Sequence, residues 1–233
     1  MLRIGVADAL ARLEHAFDGV LSSRPSDVIL RISSTPTFAN NWLVPRLGRF
    51  RAKHRGVSIR LDASTALANL EAGDADISVR RGKGDWEGLV CRRLFPVVLA
   101  PMCAPRLIGN GTAPFQAADV LKLPLLQSFA LWKPWLDCVG YVGAPAALNF
   151  AASFPRQHMV EQAAIAGQGV ALLNPRFCAD ALEEGRLVMP ISDVFVNHAD
   201  GYWLVCTKER AQAEEVRAFG DWLLQEIVGS SAS

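Results

Sequence analysis

Strand-like and helix-like apolar patterns alternate along the chain from residue 27 onward, and this alternation constrains the fold more than any other feature. A strand, a helix, a strand, a short helix and a strand are predicted at residues 28–33, 38–54, 57–63, 66–72 and 75–80. This βαβαβ order is typical of a parallel sheet covered by helices. Pro45 predicts a kink in the long helix, because proline cannot donate a backbone hydrogen bond.

A similar pattern follows residue 101. Further strands are predicted at 94–100, 123–127, 147–154, 170–173, 187–189 and 202–206, and helices near 132–139 and at 157–166, 176–183 and 210–228. The first unit lacks a helix, whereas the chain ends with a spare strand and helix. We therefore expect the end of the chain to complete the first unit. Two strands, near 95–101 and 200–206, then cross between two lobes that enclose a cleft.

The composition excludes several classes of function. The net charge of +1 favours neither a nucleic-acid groove nor an anionic membrane surface, and no run of 18 apolar residues predicts a membrane span. The scattered histidines and cysteines show no ligand spacing, so neither a metal site nor a cofactor is expected. Unpaired cysteines predict a cytoplasmic protein with reduced thiols, at Cys91, Cys103, Cys138, Cys178 and Cys206.

The common catalytic motifs are absent. The sequence contains neither G-x-x-x-x-G-K-[ST] nor G-x-S-x-G. Gly167-Gln168-Gly169 follows a predicted helix and precedes a predicted strand, which is the reverse of the order that binds pyrophosphate, so it predicts a tight turn. The arginines of the basic loop at 80–83 are interpreted as solvated. The chain is therefore not expected to be an enzyme.

A run of hydroxyl side chains between the first strand and the first helix is the strongest candidate for a binding site. The first turn of a helix has unpaired N–H groups and a positive dipole end. Hydroxyls at this position either cap the helix or help to bind a small anion such as a carboxylate. One residue is enough for a cap, and capping alone remains the alternative for Ser33, Ser34, Thr35, Pro36 and Thr37.

Polar residues also follow other predicted strands. Ligands of open α/β sheets bind beyond the carboxyl ends of strands, so groups from both lobes are expected to face one pocket. Arg156 offers a positive charge for a carboxylate. An apolar or aromatic ligand is an alternative beside Phe154 and Tyr202. The further candidates are Ser64, Thr65, Asn69, Gln127, Ser128 and Gln157.

Much of the chain resembles the effector-binding domain of LysR-type transcriptional regulators. The resemblance runs from about residue 27 to 228, and its segments are 28–54, 67–80, 91–107, 159–188 and 201–228. Two further segments, RRGKGDWEG and LLQSF…LWKPWLDCVG, are similar to the subgroup of glycine-cleavage activators and β-lactamase regulators.

The resemblance implies an α/β fold with two Rossmann-like subdomains joined by two crossover strands, as in periplasmic binding proteins. It assigns 27–100 and 202–229 to subdomain I, 101–201 to subdomain II and 1–24 to the end of a linker helix. A small-molecule effector in the cleft is expected to control the arrangement of homodimers or homotetramers. DNA is expected to bind only through an N-terminal domain that this sequence lacks.

The resemblance also assigns roles to single residues. Thr37 matches a threonine of the ligand region in a T-F-A turn, and Tyr202 matches a tyrosine on the second crossover strand. Asn69 stands where the β-lactamase regulators have an acidic residue, so a cell-wall peptide is not implied as the ligand. The alternatives are a periplasmic solute receptor and a small α/β enzyme.

Overall fold

A computed structural model describes residues 28–109 and 115–229, and the predicted linker helix at 1–24 lies outside them. The strands are β1 (Val28–Ser34), β2 (Val57–Ala63), β3 (Ile77–Gly82), β4 (Val90–Met102), β5 (Leu125–Leu126), β6 (Phe150–Ala152), β7 (Ala171–Leu173) and β8 (Val196–Cys206).

The α-helices are α1 (Pro36–Phe38), α2 (Leu47–Lys53), α3 (Ala117–Val120), α4 (Phe129–Cys138), α5 (Gln157–Ile165), α6 (Ala179–Glu183) and α7 (Glu214–Gly229). A π-helical segment (Ala39–Leu43) and a 3-10 turn (Val44–Arg46) join α1 to α2. This interruption contains Pro45, as the sequence predicted. Further 3-10 turns lie at Pro105–Leu107, Pro145–Ala147, Pro175–Phe177 and Arg210–Gln212.

Six strands form one mixed sheet in the order β2-β1-β3-β8-β4-β7. Strand β1 is parallel to both β2 and β3, which places the carboxyl ends of these three strands at one edge. Strand β8 runs antiparallel to β3 and to β4. Strands β5 and β6 form a separate parallel pair, and Leu125 also bridges to Val170 beside β7.

The hydrophobic core is divided. The first core is a cluster of aromatic and aliphatic side chains from 30–97 and 202–227, joined by Phe177. Two further clusters, built from residues between 100 and 196, are called the second core here. Strands β4 and β8 contribute to both cores. Strand β4 supplies Phe95 to the first core and Met102 to the second, and β8 supplies Leu204 to the first core and Val196 to the second.

The predicted helix at 66–72 was wrong, because this segment forms a turn. Asn69 Oδ1 accepts a hydrogen bond from the backbone N–H of Ala72 (3.0 Å), and Asp74 Oδ2 accepts one from the N–H of Asn69 (3.1 Å). Asparagine and aspartate side chains bonded in this way compete with helical backbone bonds. The predicted strand at 187–189 is reduced to one bridge, between Cys103 and Val188.

The described helices include none that is long and apolar enough to cross a membrane.

Candidate functional site: a cavity between the two cores

A cavity of about 430 Å³ lies where the turn after β1 approaches the beginning of α5 and the middle of β4. Its walls come from elements of both cores, because β1 and β3 belong to the first and α5 and β7 to the second. The lining residues are Thr35, Pro36, Thr37, Thr65, Arg81, Val97, Leu99, Pro155, Arg156, Gln157, Asn174, Phe177 and Tyr202.

Backbone hydrogen bonds fix the turn after β1. The N–H of Thr35 donates to the carbonyl of Val79, and the carbonyl of Thr35 accepts from Ala39 (3.0 Å). Pro36 occupies the first turn of α1, where its missing N–H costs nothing. The Thr35 side chain does not cap α1. Its Oγ1 atom is buried and lies near the Tyr202 hydroxyl, so capping does not account for it.

Tyr202 lies on the crossover strand β8 and is 6% exposed. Its ring stacks on Phe38 and Phe95 and meets the edge of Phe177, with ring centroids 5.0 to 5.8 Å apart. Burial raises the pKa of the Tyr202 hydroxyl, whereas the nearby Arg81 guanidinium and Thr35 hydroxyl act in the opposite direction. The phenol therefore stays protonated near neutral pH and can donate a hydrogen bond into the cavity.

The second core supplies the opposite wall. Arg156 precedes α5 with an extended backbone, and its exposed guanidinium has no partner among the described residues. Gln157 begins α5 and donates from Nε2 to the carbonyl of Leu172 at 3.4 Å. Asn174 follows β7 and is 4% exposed. The beginning of α5 and the end of β7 therefore present polar groups to the same space.

The cavity favours an anion with an apolar part. Its described lining includes two arginines, Arg81 and Arg156, and no acidic side chain. Arg81 is held by Asp200, with 3.0 Å between Nε and Oδ2, whereas Arg156 is free to bind a ligand. Arginine binds carboxylates through paired hydrogen bonds. Aliphatic and aromatic surface is provided by Val97, Leu99 and Phe177.

Half of the predicted site residues line this cavity, namely Thr35, Pro36, Thr37, Thr65, Arg156, Gln157 and Tyr202. Three other predicted residues, Ser33, Ser34 and Ser64, are close to lining residues in the sequence, but their hydroxyls form hydrogen bonds within the fold. Arg80 is 3% exposed and donates to the hydroxyl of Ser33 and to the carbonyl of Ser64. The Ser64 hydroxyl accepts from the N–H of Ala66 (3.1 Å), and the Ser34 hydroxyl donates to the carbonyl of Thr35 (3.2 Å).

The remaining four predicted residues lie outside the cavity walls. Asn69 is in the exposed turn described above. Gln127 is buried, and its side-chain amide bonds to both the N–H and the carbonyl of Leu172. Ser128 is exposed before α4, and Phe154 packs against the second core.

Six lining residues were not among the predicted ones: Arg81, Val97, Leu99, Pro155, Asn174 and Phe177. Asn174 carried the same signal as the hydroxyl run, a polar residue and a proline directly after a strand. Arg80 and Arg81 were both interpreted as solvated, and this was wrong for Arg80, which is buried among its hydrogen-bond partners. Arg81 is exposed and also lines the cavity from the end of β3, next to β8. Val97 and Leu99 lie on a crossover strand, whose sequence does not reveal which side chains face the cleft.

Comparison with known families and structures agrees with this architecture. The family model described as the LysR substrate binding domain matches residues 25–227. The chain belongs to this family.

Two curated relatives of this LysR substrate binding domain are transcriptional activators. The chain is 34% identical over 205 residues to the glycine cleavage system transcriptional activator of Escherichia coli K12, which covers 88% of the chain and 67% of that protein. It is 31% identical over 199 residues to the HTH-type transcriptional activator AmpR of Citrobacter koseri, covering 84% of the chain and 67% of AmpR.

A solved structure is similar throughout the domain. The effector domain of the transcriptional regulator AmpR of Pseudomonas aeruginosa has a TM-score of 0.71 and 28% identity, and the match covers 88% of this chain and 98% of that one. The predicted LysR resemblance and the predicted α/β fold are thereby confirmed. The relatives are regulators, which also confirms the prediction that the chain is not an enzyme.

Proposed function

We propose that this LysR substrate binding domain senses a small-molecule carboxylate in the cavity between its two cores. The observation that carries the proposal is the cavity lining, which combines two arginines, a buried tyrosine hydroxyl and apolar walls with no acid among the described residues. The related activators are regulators of transcription by name. Binding of the effector controls transcription by the regulator, as the names of the related activators suggest for this family.

We further propose that residues 27–100 with 202–229 and residues 101–201 act as two subdomains. Support comes from the divided core and from β4 and β8, which pass from one part to the other. A ligand that contacts both parts stabilises the arrangement to which it binds more tightly. That preference changes how subunits pack in a homodimer or homotetramer. A cytoplasmic location is part of the same proposal, supported by five free cysteines.

Binding is tested by a thermal-shift screen of carboxylic acids followed by calorimetry on the hits. A ligand that binds the native state raises the melting temperature by mass action. The double variant Thr35→Ala/Thr37→Ala and the single variant Arg156→Gln are expected to weaken binding of a hit at least about tenfold, the effect of losing one charge-assisted bond. Arg51→Gln, on the exposed face of α2, is the matched control and should bind as the unchanged chain does.

Two results would contradict the proposal. If the cavity variants bind the acids with the same affinity as the Arg51→Gln control, the ligand binds outside the cavity. If no acid in the screen raises the melting temperature, the effector is not a carboxylate of the kind proposed. Light scattering with and without a hit then tests the coupling to assembly, and an unchanged strictly monomeric species at high protein concentration contradicts that part.

A further inference from the structure

A buried amide in the cavity has a hydrogen-bond donor that no described residue uses. Asn174 is 4% exposed and lines the cavity wall after β7. Its Nδ2 atom is buried and has no hydrogen-bond partner among the residues that the structure describes.

The orientation of this amide is fixed by its other atom. Asn174 Oδ1 accepts a hydrogen bond from the backbone N–H of Arg176 at 3.0 Å. A backbone N–H can only donate, so the atom that faces Arg176 must be the oxygen, and the other must be the NH₂ group. The same bond begins the 3-10 turn Pro175–Phe177, which holds the side chain in place.

An unused buried donor is unfavourable, and most buried polar groups in native proteins have a partner. Asn174 therefore needs an acceptor that the described chain does not supply. The proposed site already provides for the carboxylate through the free guanidinium of Arg156, so the acceptor for Asn174 is a second oxygen, close to the ring of Phe177 in the same wall. A neutral oxygen, from a ketone or a hydroxyl, matches this position.

We propose that Asn174 donates a hydrogen bond to an uncharged oxygen of the effector, which assigns the effector to the carboxylates that carry a second oxygen acceptor. This inference rests on the proposed function of the cavity. Arg156 binds the carboxylate beside the ion-paired Arg81, Asn174 selects the ketone or hydroxyl oxygen, and the apolar wall contacts the hydrocarbon. Asn174 is thus a specificity-determining residue of the site.

Two matched pairs of acids test the assignment by calorimetry on the whole chain. The first pair is 3-phenyllactate and 3-phenylpropanoate, which differ by a hydroxyl next to the carboxylate. The second is 4-oxo-4-phenylbutanoate and 4-phenylbutanoate, which differ by a ketone farther away. We expect the oxygen-bearing acid of at least one pair to bind about tenfold more tightly, a difference of about 1.4 kcal/mol.

Asn174→Ser is the informative variant, because serine keeps a capping oxygen for Arg176 and adds no charge while it removes the NH₂ group. We expect the ratio of the two affinities within the selective pair to fall to about one. The affinity for the acid that lacks the ketone or hydroxyl should stay unchanged. Asn174→Asp keeps the cap and places an acceptor in the cavity, so it should weaken every acid.

The outcomes separate this inference from the proposed function. A selective pair that stays selective in Asn174→Ser overturns the role of Asn174. Equal binding within both pairs by the unchanged chain, still weakened by Arg156→Gln, overturns the second oxygen and leaves the carboxylate site intact. Failure of all four acids to bind overturns the assigned ligand class, whereas the wider acid screen decides the proposed function separately.

Discussion

Asn41 and Glu161 join the two cores directly: the side-chain amide of Asn41, in the π-helical segment after α1, donates to Glu161 Oε2 on α5. Glu161 is 8% exposed. Burial raises the pKa of its carboxyl, opposed first by the bond from Asn41, then by Arg186 and by the Cys178 thiol, while Asp180 adds to the increase. The contact between the cores therefore depends on a carboxylate that ionises less readily than usual.

This contact predicts a pH-dependent contribution to stability. Because the folded-state pKa lies above the ordinary value of 4.5, Glu161 contributes most below pH 4.5, and stability is lost as pH rises through the raised pKa. Glu161→Gln keeps an acceptor for Asn41 and cannot ionise, so its melting temperature should rise relative to the unchanged chain as pH increases from 4 to 8. A difference in melting temperature between the two chains that stays constant across this range would contradict the assignment.

A second prediction concerns a buried aspartate at the start of β3. Asp76 is 3% exposed and accepts hydrogen bonds from the backbone and guanidinium of Arg31, at 2.7 and 3.1 Å, and lies 3.2 Å from Arg210 Nη2. Asp76→Ala should lower the free energy of unfolding by about 2 kcal/mol in urea titrations, less than for fully buried pairs because both arginines reach solvent.

The control for Asp76 is an ion pair on an exposed helix face. Lys133 and Asp137 pair on α4 with more than half of each side chain exposed. Asp137→Ala should therefore change stability by less than about 0.5 kcal/mol. Equal losses in the two variants would show that burial of Asp76 is not the cause.

A third prediction separates two roles of Gln127. Its side chain accepts from the N–H of Leu172 (2.9 Å) and donates to its carbonyl (3.2 Å), while its own backbone has a φ of 79°. Gln127→Ala should cost about 2 kcal/mol, because it leaves a buried N–H unpaired. Gln127→Gly loses the same bonds but relieves the left-handed backbone, so it should cost roughly 1 kcal/mol less in urea unfolding. The reverse order would refute this explanation.

A fourth prediction concerns the turn Gly167-Gln168-Gly169. A Cβ atom at Gly169 would lie 2.5 Å from the carbonyl oxygen of Pro124, because the backbones of these two segments pair there. Gly169→Ala should therefore destabilise the fold by about 1–3 kcal/mol. Gly48, exposed in α2, has no atom within 4 Å of such a Cβ, and Gly48→Ala should stabilise by about 0.5–1 kcal/mol. Thermal unfolding of both variants distinguishes the two environments.

The sequence was informative wherever one local pattern decided the structure. The apolar run before Ser33 and the proline at position 36 were enough to place β1 and the turn after it, and that turn lies in the cavity wall. The tight turn at Gly167 was predicted because helix and strand stood in the wrong order for nucleotide binding.

The sequence does not reveal where a polar side chain bonds to a distant part of the chain. Ser33 bonds to Arg80 and Gln127 bonds to Leu172, and neither partner is visible in a local pattern. Asn69 appeared in a helical context, yet its bonds with Ala72 and Asp74 form a turn. In each case a hydrogen bond within the folded chain engages a residue that was predicted to contact the ligand.

The ladder between β4 and β8 extends from Val90 with Cys206 to Leu99 with Val196, but its register shifts between Arg93 and Phe95 and again between Pro96 and Val98. Where the pairing is regular, a sharp change in the direction of one strand requires several backbone hydrogen bonds between β4 and β8 to break at once. Bending is therefore least costly at the irregular section between Arg93 and Val98. This section includes the cavity residue Val97 and ends directly before the cavity residue Leu99. A ligand in the proposed site would therefore lie beside the irregular section of the ladder, where a change in the angle between β4 and β8 disturbs the fewest paired backbone bonds.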